Sequence, residues 1–192
     1  DCSSDATLQI CQSYADREQK ITIFSSPQNQ GERTNINRIL PYLLAEQVDW
    51  FLILHSDDLA KPSWFQENLD CIHLATAKTA SICSSWDNWY PQENRIQSGE
   101  NKIDTPYVTI EGNRDSVIGT FQKGCWWHVS GCAIRVSAFA SIGGFAPDLP
   151  QLGDFDWLLR ALSKGWTIQY IPRSLILYRQ HSLSVSSNSF RN

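Results

Sequence analysis

Two adjacent carboxylates, Asp57 and Asp58, follow an apolar run from Trp50 to Leu54. A buried run of this length is typical of an interior strand in an α/β protein, and ligands in such sheets bind at the carboxyl ends of strands. Neighbouring acids repel each other unless a cation or hydrogen-bond donors offset their charge. Carboxylate oxygens suit Mg²⁺ or Mn²⁺, which commonly also bind substrate phosphates. The segment therefore fits a metal–nucleotide site, and equally a solvated turn or an N-cap pair before a helix that starts at Pro62.

A second acidic pair, Asp154 and Asp156, lies at the start of a helix predicted over residues 154–164. A carboxylate at a helix start is stabilised by free backbone N–H groups and by the helix dipole, so Asp154 fits an N-cap. Asp156 and Arg160 are i, i+4 neighbours and can form an ion pair. Such a pair would orient the helix start and leave Asp154 free for chemistry.

These acids need elements that hold them in place, and the spacing of apolar residues predicts such elements. Helices are predicted from Ser4 or Asp5 to Ala15, over 34–46 with a kink at Pro41, over 62–78 and over 154–164. Strands are predicted at 20–24, 50–54, 80–84, 131–135, 166–171 and 175–178. This alternation indicates an α/β fold with a mixed, mostly parallel sheet flanked by helices. Residues 85–121 carry turn signals and few periodic runs, so loops and short antiparallel pieces are expected there.

Length and composition exclude several classes of protein. A chain of 192 residues is long enough for a single domain with a sizeable core. Its net charge of −4 disfavours nucleic acid and anionic membrane surfaces as partners, and it has no apolar run long enough to span a bilayer. The six cysteines form no C-x-x-C pair, which disfavours zinc and favours buried free thiols. We expect a cytoplasmic protein, either free or peripheral at the inner face of the membrane.

Several segments, taken in order, resemble the family 2 glycosyltransferases, which are inverting enzymes of the GT-A type. The segments are Asp1-Cys-Ser-Ser-Asp5, Leu54-His-Ser-Asp-Asp58, Gly131-Cys-Ala-Ile-Arg135 with Ile142-Gly-Gly-Phe145, Asp154-Phe-Asp-Trp-Leu-Leu-Arg160 with Gly165 and Tyr170-Ile-Pro172, and Tyr178-Arg-Gln-His181. The match extends over nearly the whole chain and is weakest over residues 85–121. It implies a GT-A-like fold, with residues 1–84 as the nucleotide-binding part and residues 85–192 as the acceptor-binding part.

The resemblance also implies a donor site and a divalent cation, Mg²⁺ or Mn²⁺. Asp57 and Asp58 would ligate the cation and the diphosphate of a nucleotide-sugar donor, and His181 would approach the metal. His55 stands where the family motif has its first Asp, and its imidazole would contact ribose or metal. Asp1 would hydrogen-bond the nucleotide base or ribose.

The same resemblance assigns Asp154 as the catalytic base. It would take the proton from a hydroxyl of the acceptor, a carbohydrate or another alcohol, as that oxygen attacks the anomeric carbon. One attack without a covalent intermediate inverts the anomeric configuration. Gly153 replaces the Glu that usually precedes this Asp. Family members begin with a strand and a helix before the position of Asp1, so we expect the chain to lack that segment.

Aromatic residues near the variable segment point to the acceptor. Trp126 and Trp127 are candidate contacts, because sugar rings present apolar C–H faces that pack against indole rings. If the two lie on a strand, at most one faces inward. The alternative for either residue is core packing.

Two other functions fit the same residues. One is a sugar- or nucleotide-binding module without catalysis, which the His55 departure favours. The other is a metal-dependent nucleotidyltransferase, which also places acids and Mg²⁺ around a nucleotide but normally needs a phosphate-binding glycine-rich or basic loop. A nucleotidyltransferase releases pyrophosphate, whereas a glycosyltransferase of this kind releases a nucleoside diphosphate.

Overall fold

The computed structural model describes residues 1–99, 105–149 and 151–181, which form a mixed sheet flanked by helices. The α-helices are α1 (Thr7–Ala15), α2 (Glu32–Arg38), α3 (Leu40–Ala45), α4 (Trp64–Leu74), α5 (Arg114–Lys123), α6 (Val136–Ile142) and α7 (Gly153–Ser163). The strands are β1 (Trp50–Leu52), β2 (Leu59–Ala60), β3 (Thr79–Tyr90), β4 (Arg95–Gln97), β5 (Val108–Ile110), β6 (Ala133–Arg135) and β7 (Thr167–Arg179). A 3₁₀ turn over Pro91–Glu93 joins β3 to β4.

The strand order in the sheet is β1-β6-β3-β7-β2, with β4 paired to β3 and β5 paired to β7. The strands β3 and β7 are parallel and run side by side from Thr79 and Thr167 to Trp89 and Arg179. Every other pairing in the described sheet is antiparallel. The mixed α/β architecture is confirmed, but parallel pairing is confined to β3 and β7. Strands β1 and β3 share a direction without touching, because β6 enters between them in the opposite direction.

Local backbone chemistry explains where the predicted elements differ from the structure. The helix predicted over 34–46 is two helices, because Pro41, which has no N–H to donate, lies in the first turn of α3. Residues 20–24 are not a strand; Phe24 is largely exposed and packs its ring edge-on against Tyr42 of α3. The two strands predicted after residue 165 are one strand, β7, whose register shifts beside Pro172.

The polar segment 85–121 is more regular than the sequence indicates. β3 continues through it to Tyr90, and helix α5 begins after Asn113, whose side-chain oxygen accepts a hydrogen bond from Ser116 N–H at 2.8 Å. This contact is a standard N-cap. The short pieces β4 and β5 pair antiparallel as predicted, while residues 100–104 of the segment lie outside the described residues.

An aromatic cluster forms the centre of the core. Trp127 stacks on Trp157 of α7 with ring centroids 5.3 Å apart, and Phe139 and Phe145 pack edge-on at 5.3 Å. The Trp127 indole N–H donates to Ser81 Oγ on β3 at 3.0 Å. These contacts pack α6, α7 and the loop before β6 against the sheet, and so position the first turn of α7, which contains Asp154 and Asp156.

Two further predictions concern the state of the cysteines and the presence of a membrane-spanning helix. All six cysteines are free thiols; Cys71, Cys83 and Cys132 are buried, whereas Cys2, Cys11 and Cys125 are exposed. Burial raises the pKa of the Cys71 thiol to about 11, so this thiol is protonated at neutral pH. None of the helices in the described part of the chain is long and apolar enough to cross a bilayer.

Candidate active site

The first acidic pair lies in a tight turn between β1 and β2. Asp58 N–H donates to the carbonyl of His55 at 3.2 Å, and the side chain of Asp58 is buried. One carboxylate oxygen of Asp58, Oδ1, accepts a hydrogen bond from Arg179 N–H at 3.0 Å. The other, Oδ2, is buried and has no hydrogen-bond partner. A buried carboxylate oxygen without a partner is costly, and a bound cation would satisfy it.

The pairing of β2 with β7 brings the end of the described chain to this turn. Leu59 lies opposite Leu177 in the ladder, and the chain continues past Arg179 to His181. His181 Nε2 lies 3.0 Å from Asp57 Oδ2. This contact places His181 beside one of the two acids, and its role toward a metal stays a prediction.

The side chain of His55 faces two acids. Its Nε2 lies 2.8 Å from Glu32 Oε1, and its Nδ1 lies 4.0 Å from Asp58 Oδ2. Burial by itself would lower the pKa of His55, but the Glu32 carboxylate, together with Asp58 and Asp57, raises it above its ordinary value. His55 is thus held by charge on both sides, at the place where the family motif has an acid.

The residues His55, Asp57 and Asp58 fit a divalent cation. Each offers one ligand atom, and the three atoms lie within 4.8 Å of one another. One imidazole nitrogen with two carboxylates is a donor set that Mn²⁺ or Mg²⁺ accepts, and the unpartnered Asp58 Oδ2 belongs to it. The predicted metal ligands were Asp57, Asp58 and His181; the three-residue group in the structure contains His55 with the two acids, and His181 contacts Asp57.

Asp154 lies in the first turn of α7. Its Oδ1 accepts a hydrogen bond from Phe155 N–H at 2.9 Å and lies 3.7 Å from Arg33 Nη2. The position before it is tightly packed, because an added Cβ at Gly153 would lie 3.1 Å from both Ala146 O and Arg33 Nε. A larger residue there would need Arg33 or the backbone of Ala146 to shift by a few tenths of an ångström.

The ion pair predicted behind Asp154 is present. Asp156 Oδ2 accepts from Arg160 Nε at 2.8 Å, and the guanidinium also donates to the carbonyls of Ile142 and Gly144. Arg160 therefore ties α7 to the end of α6 and orients the first turn of α7. Asp154 takes no part in this network.

Glu32 and Arg33, the first two residues of α2, are site residues that the sequence did not predict. The Glu32 carboxylate lies 3.0 Å from Arg33 Nη1 and 2.8 Å from His55, so the pair bridges Asp154 on one side and the His55 group on the other. Arg33 is buried and lies over the ring of Phe145 at 5.4 Å. The only local sign of a functional role was a charged pair directly after Gly31, at the start of a helix. Nothing near it in the sequence indicated that His55 and Asp154 would be its partners.

The structure also places Asp1, Trp126 and Trp127, which the sequence predicted as substrate contacts. The Asp1 carboxylate accepts from Gln30 N–H and Gly31 N–H, both at 2.9 Å, which holds it beside the start of α2. Trp127 is 1% exposed and stacks in the core, so its assignment as an acceptor contact is wrong. Trp126 is half-buried, lines a surface groove and donates its indole N–H to Thr120 Oγ1 at 3.1 Å.

The sequence model of the family described as Glycosyl transferase family 2 matches residues 1–130. The chain belongs to that family. None of the curated proteins matches the chain.

Solved structures similar to this family 2 chain include three of S. aureus TarS. For TarS 1-349 in complex with UDP-GlcNAc the TM-score is 0.68 at 15% identity, with 98% of this chain and 50% of that one covered. The complex with UDP gives 0.63 at 17%, covering 95% and 50%, and a structure of TarS gives 0.65 at 16%, covering 95% and 30%. The chain therefore spans half or less of the length of these proteins. The likeness shows a GT-A-like fold.

Proposed function

We propose that the protein transfers a sugar from a nucleotide-diphosphate donor to a hydroxyl group of an acceptor, with inversion and with a divalent cation. The observation that carries the proposal is that one charged bridge, Glu32–Arg33, joins two acidic sites of different chemistry. One site has the buried, unpartnered oxygen of Asp58 beside His55 and Asp57. The other presents Asp154 alone, beside a guanidinium.

The residues divide the work as follows. His55, Asp57 and Asp58 would hold the cation, which when bound offsets negative charge on a departing nucleoside diphosphate. Asp154 would accept the proton of the attacking hydroxyl. The new bond forms between the acceptor oxygen and the anomeric carbon, while the bond from that carbon to the diphosphate oxygen breaks. A single displacement of this kind inverts the anomeric carbon.

The position of Arg33 supports the assignment of Asp154. The guanidinium lies 3.7 Å from Asp154 Oδ1, which also accepts the Phe155 N–H, so both contacts hold the same oxygen and orient the carboxylate. The family and the neighbouring complexes with UDP and UDP-GlcNAc make a uridine nucleotide the first donor to test.

The test is calorimetric titration of UDP, and then GDP, into the protein with Mn²⁺ and with a chelator. Binding should require Mn²⁺ and should be lost in Asp57→Ala. It should persist in Asp70→Ala, a matched control whose carboxylate is exposed on α4 and accepts from Gln66 of the same helix. Binding that survives the chelator or Asp57→Ala would contradict the cation site. In turnover assays, release of a nucleoside diphosphate supports the proposal, whereas release of pyrophosphate would identify a nucleotidyltransferase.

A further inference from the structure

A groove lies on the molecule between β5, α5 and β7, outside the acidic sites. We call it the outer groove, and its lining includes Ile110, Asn113, Ser116, Gly119, Trp126 and Tyr170. Its volume is about 680 Å³. Ligand sites of roughly 300–1,000 Å³ hold ligands the size of a drug molecule, so this groove is larger than one sugar ring requires.

One glycine has its simplest explanation in the outer groove. Gly119 lies in the middle of α5, where glycine is less favourable than alanine for a helix. A Cβ added at Gly119 would meet no atom of the described residues within 4 Å. Neither packing nor backbone conformation of the described chain therefore requires glycine there. What the missing side chain does leave is open space in the floor of the groove.

A second cavity of about 340 Å³ adjoins the outer groove. We call it the inner cavity; Trp126 and Tyr170 line both spaces and form the wall between them, with ring centroids 6.1 Å apart. The inner cavity is also lined by Trp86. The two spaces thus lie side by side with aromatic side chains lining both, and sugar rings pack on such faces.

Side-chain contacts connect the surroundings of the two spaces with both acidic sites. Trp86 packs against His128 at 5.0 Å, and the rings of His128 and His55 lie 6.1 Å apart. At the other side, Phe121 of α5 stacks on Phe155, the residue after Asp154, at 6.4 Å. The elements that line the two spaces therefore also contact residues beside both acidic sites.

The charge of the outer groove indicates whether a neutral or an anionic sugar chain would fit it. Its lining contains one carboxylate, Asp115, and one ammonium group, Lys123, together with the side chains of Ser116 and Asn113. A polyanionic chain would call for an excess of cationic side chains. Balanced charge with hydroxyl and amide groups suits the hydroxyls of a neutral sugar.

We propose that the outer groove and the inner cavity bind the acceptor as a neutral oligosaccharide, with successive sugar units on the two sides of the Trp126–Tyr170 wall. This inference rests on the proposed function and deepens it, because it makes the acceptor a glycan chain rather than a single sugar or a small alcohol. Gly119 then sets how far the chain extends, since any larger side chain there would occupy the place of a sugar unit.

The experiment compares the protein with Gly119→Phe and with Ile118→Phe. The control adds the same ring one residue away on the same helix, where Ile118 is 42% exposed and is not among the residues lining the groove. The probes are malto-, cello-, chito- and manno-oligosaccharides of one to six units, with oligogalacturonates as an anionic series. Binding is measured by tryptophan fluorescence and saturation-transfer NMR, and UDP with Mn²⁺ is titrated into the same samples.

In at least one neutral series, the hexasaccharide should bind about tenfold more tightly than its monosaccharide, and Gly119→Phe should remove that gain while Ile118→Phe keeps it. Length-independent binding, no binding of any neutral series, preference for the anionic series, or unchanged binding by Gly119→Phe would overturn the inference. The UDP titration separates the two proposals. Metal-dependent UDP binding without glycan binding refutes the groove alone, whereas glycan binding without UDP binding refutes the donor site alone.

Discussion

The guanidinium of Arg33 lies 3.7 Å from the carboxylate of Asp154. Arg33 is 7% exposed and is held over the ring of Phe145, so it has little freedom to move away. The Asp154 oxygen that faces Arg33 also accepts the N–H of Phe155. A carboxylate fixed by two contacts at one oxygen keeps its other oxygen available for a proton.

Replacement of Asp154 by Asn should remove the proposed base and little else. We expect turnover to fall by about 10²–10⁴-fold, because this is what a positioned proton acceptor contributes. Affinity for UDP with Mn²⁺ should stay unchanged, because the His55 group is intact. Transfer is measured as UDP released in the presence of acceptor.

The control for that variant is Asp156→Asn, which makes the same change two residues along the same helix. It weakens the ion pair with Arg160, which keeps its hydrogen bonds to the carbonyls of Ile142 and Gly144. Near-normal turnover is expected. If Asp154→Asn retained turnover like that of Asp156→Asn, the base would have to be another group.

The contact between Glu32 and His55 should make stability depend on pH. Burial would raise the pKa of Glu32, but His55 and Arg33 lower it below its ordinary value of 4.5; the pKa of His55 is raised above 6.5. The contact therefore stabilises the fold fully between about pH 4.5 and 6.5. The contribution is lost as pH rises through the raised pKa of His55 and as it falls through the lowered pKa of Glu32.

Thermal unfolding of the wild type and of Glu32→Gln in chelator, at pH 5.5 and 8.5, measures this contribution. The wild type should be the more stable at pH 5.5 by less than about 1 kcal/mol, since Glu32 is partly exposed, and the difference should shrink at pH 8.5. Glu18→Gln, at an exposed position outside the site, should show no such trend. A difference that grew with pH would mean that His55 is not the partner that titrates.

Trp127 should matter for stability rather than for acceptor binding. Trp127→Ala removes a buried ring that stacks on Trp157, and we expect a loss of about 3–5 kcal/mol in the free energy of unfolding by urea. Ser81 keeps a partner in this variant, because its hydroxyl also donates to Ala133 O at 2.8 Å. Phe65→Ala, at a position 60% exposed on α4, should cost less than about 0.5 kcal/mol.

The acids of the site could be predicted because their signals are local. Asp57 and Asp58 follow an apolar strand, and Asp154 lies in the first turn of an amphipathic helix. The bridge formed by Glu32 and Arg33 could not be predicted, because its partners His55 and Asp154 lie far along the chain. His55 and Asp154 reach it only after the sheet has formed.

The same contrast holds for the fold. The helix after Asp154 has a clear apolar stripe and was predicted to within one residue at each end. Helix α5 was missed because its surface is mostly polar, with Phe121 70% exposed, so its apolar spacing is weak. The exposure that hid α5 from the sequence analysis is also what makes it available to form one side of the outer groove.

The strand order has a consequence for how the protein is made. Strands β1 and β3 are synthesised early, yet the strand between them, β6, comes about forty residues after β3 has ended. The partner of β3 on its other side, β7, comes later still, and Thr167 N–H donates to the carbonyl of Lys78 across 89 residues of chain. On the ribosome the first half therefore emerges with its hydrogen-bonding edges open, and contacts over such separations form slowly. A nascent chain stalled before β6 should be prone to aggregate through its unpaired strand edges, and should depend on chaperones until the later strands emerge.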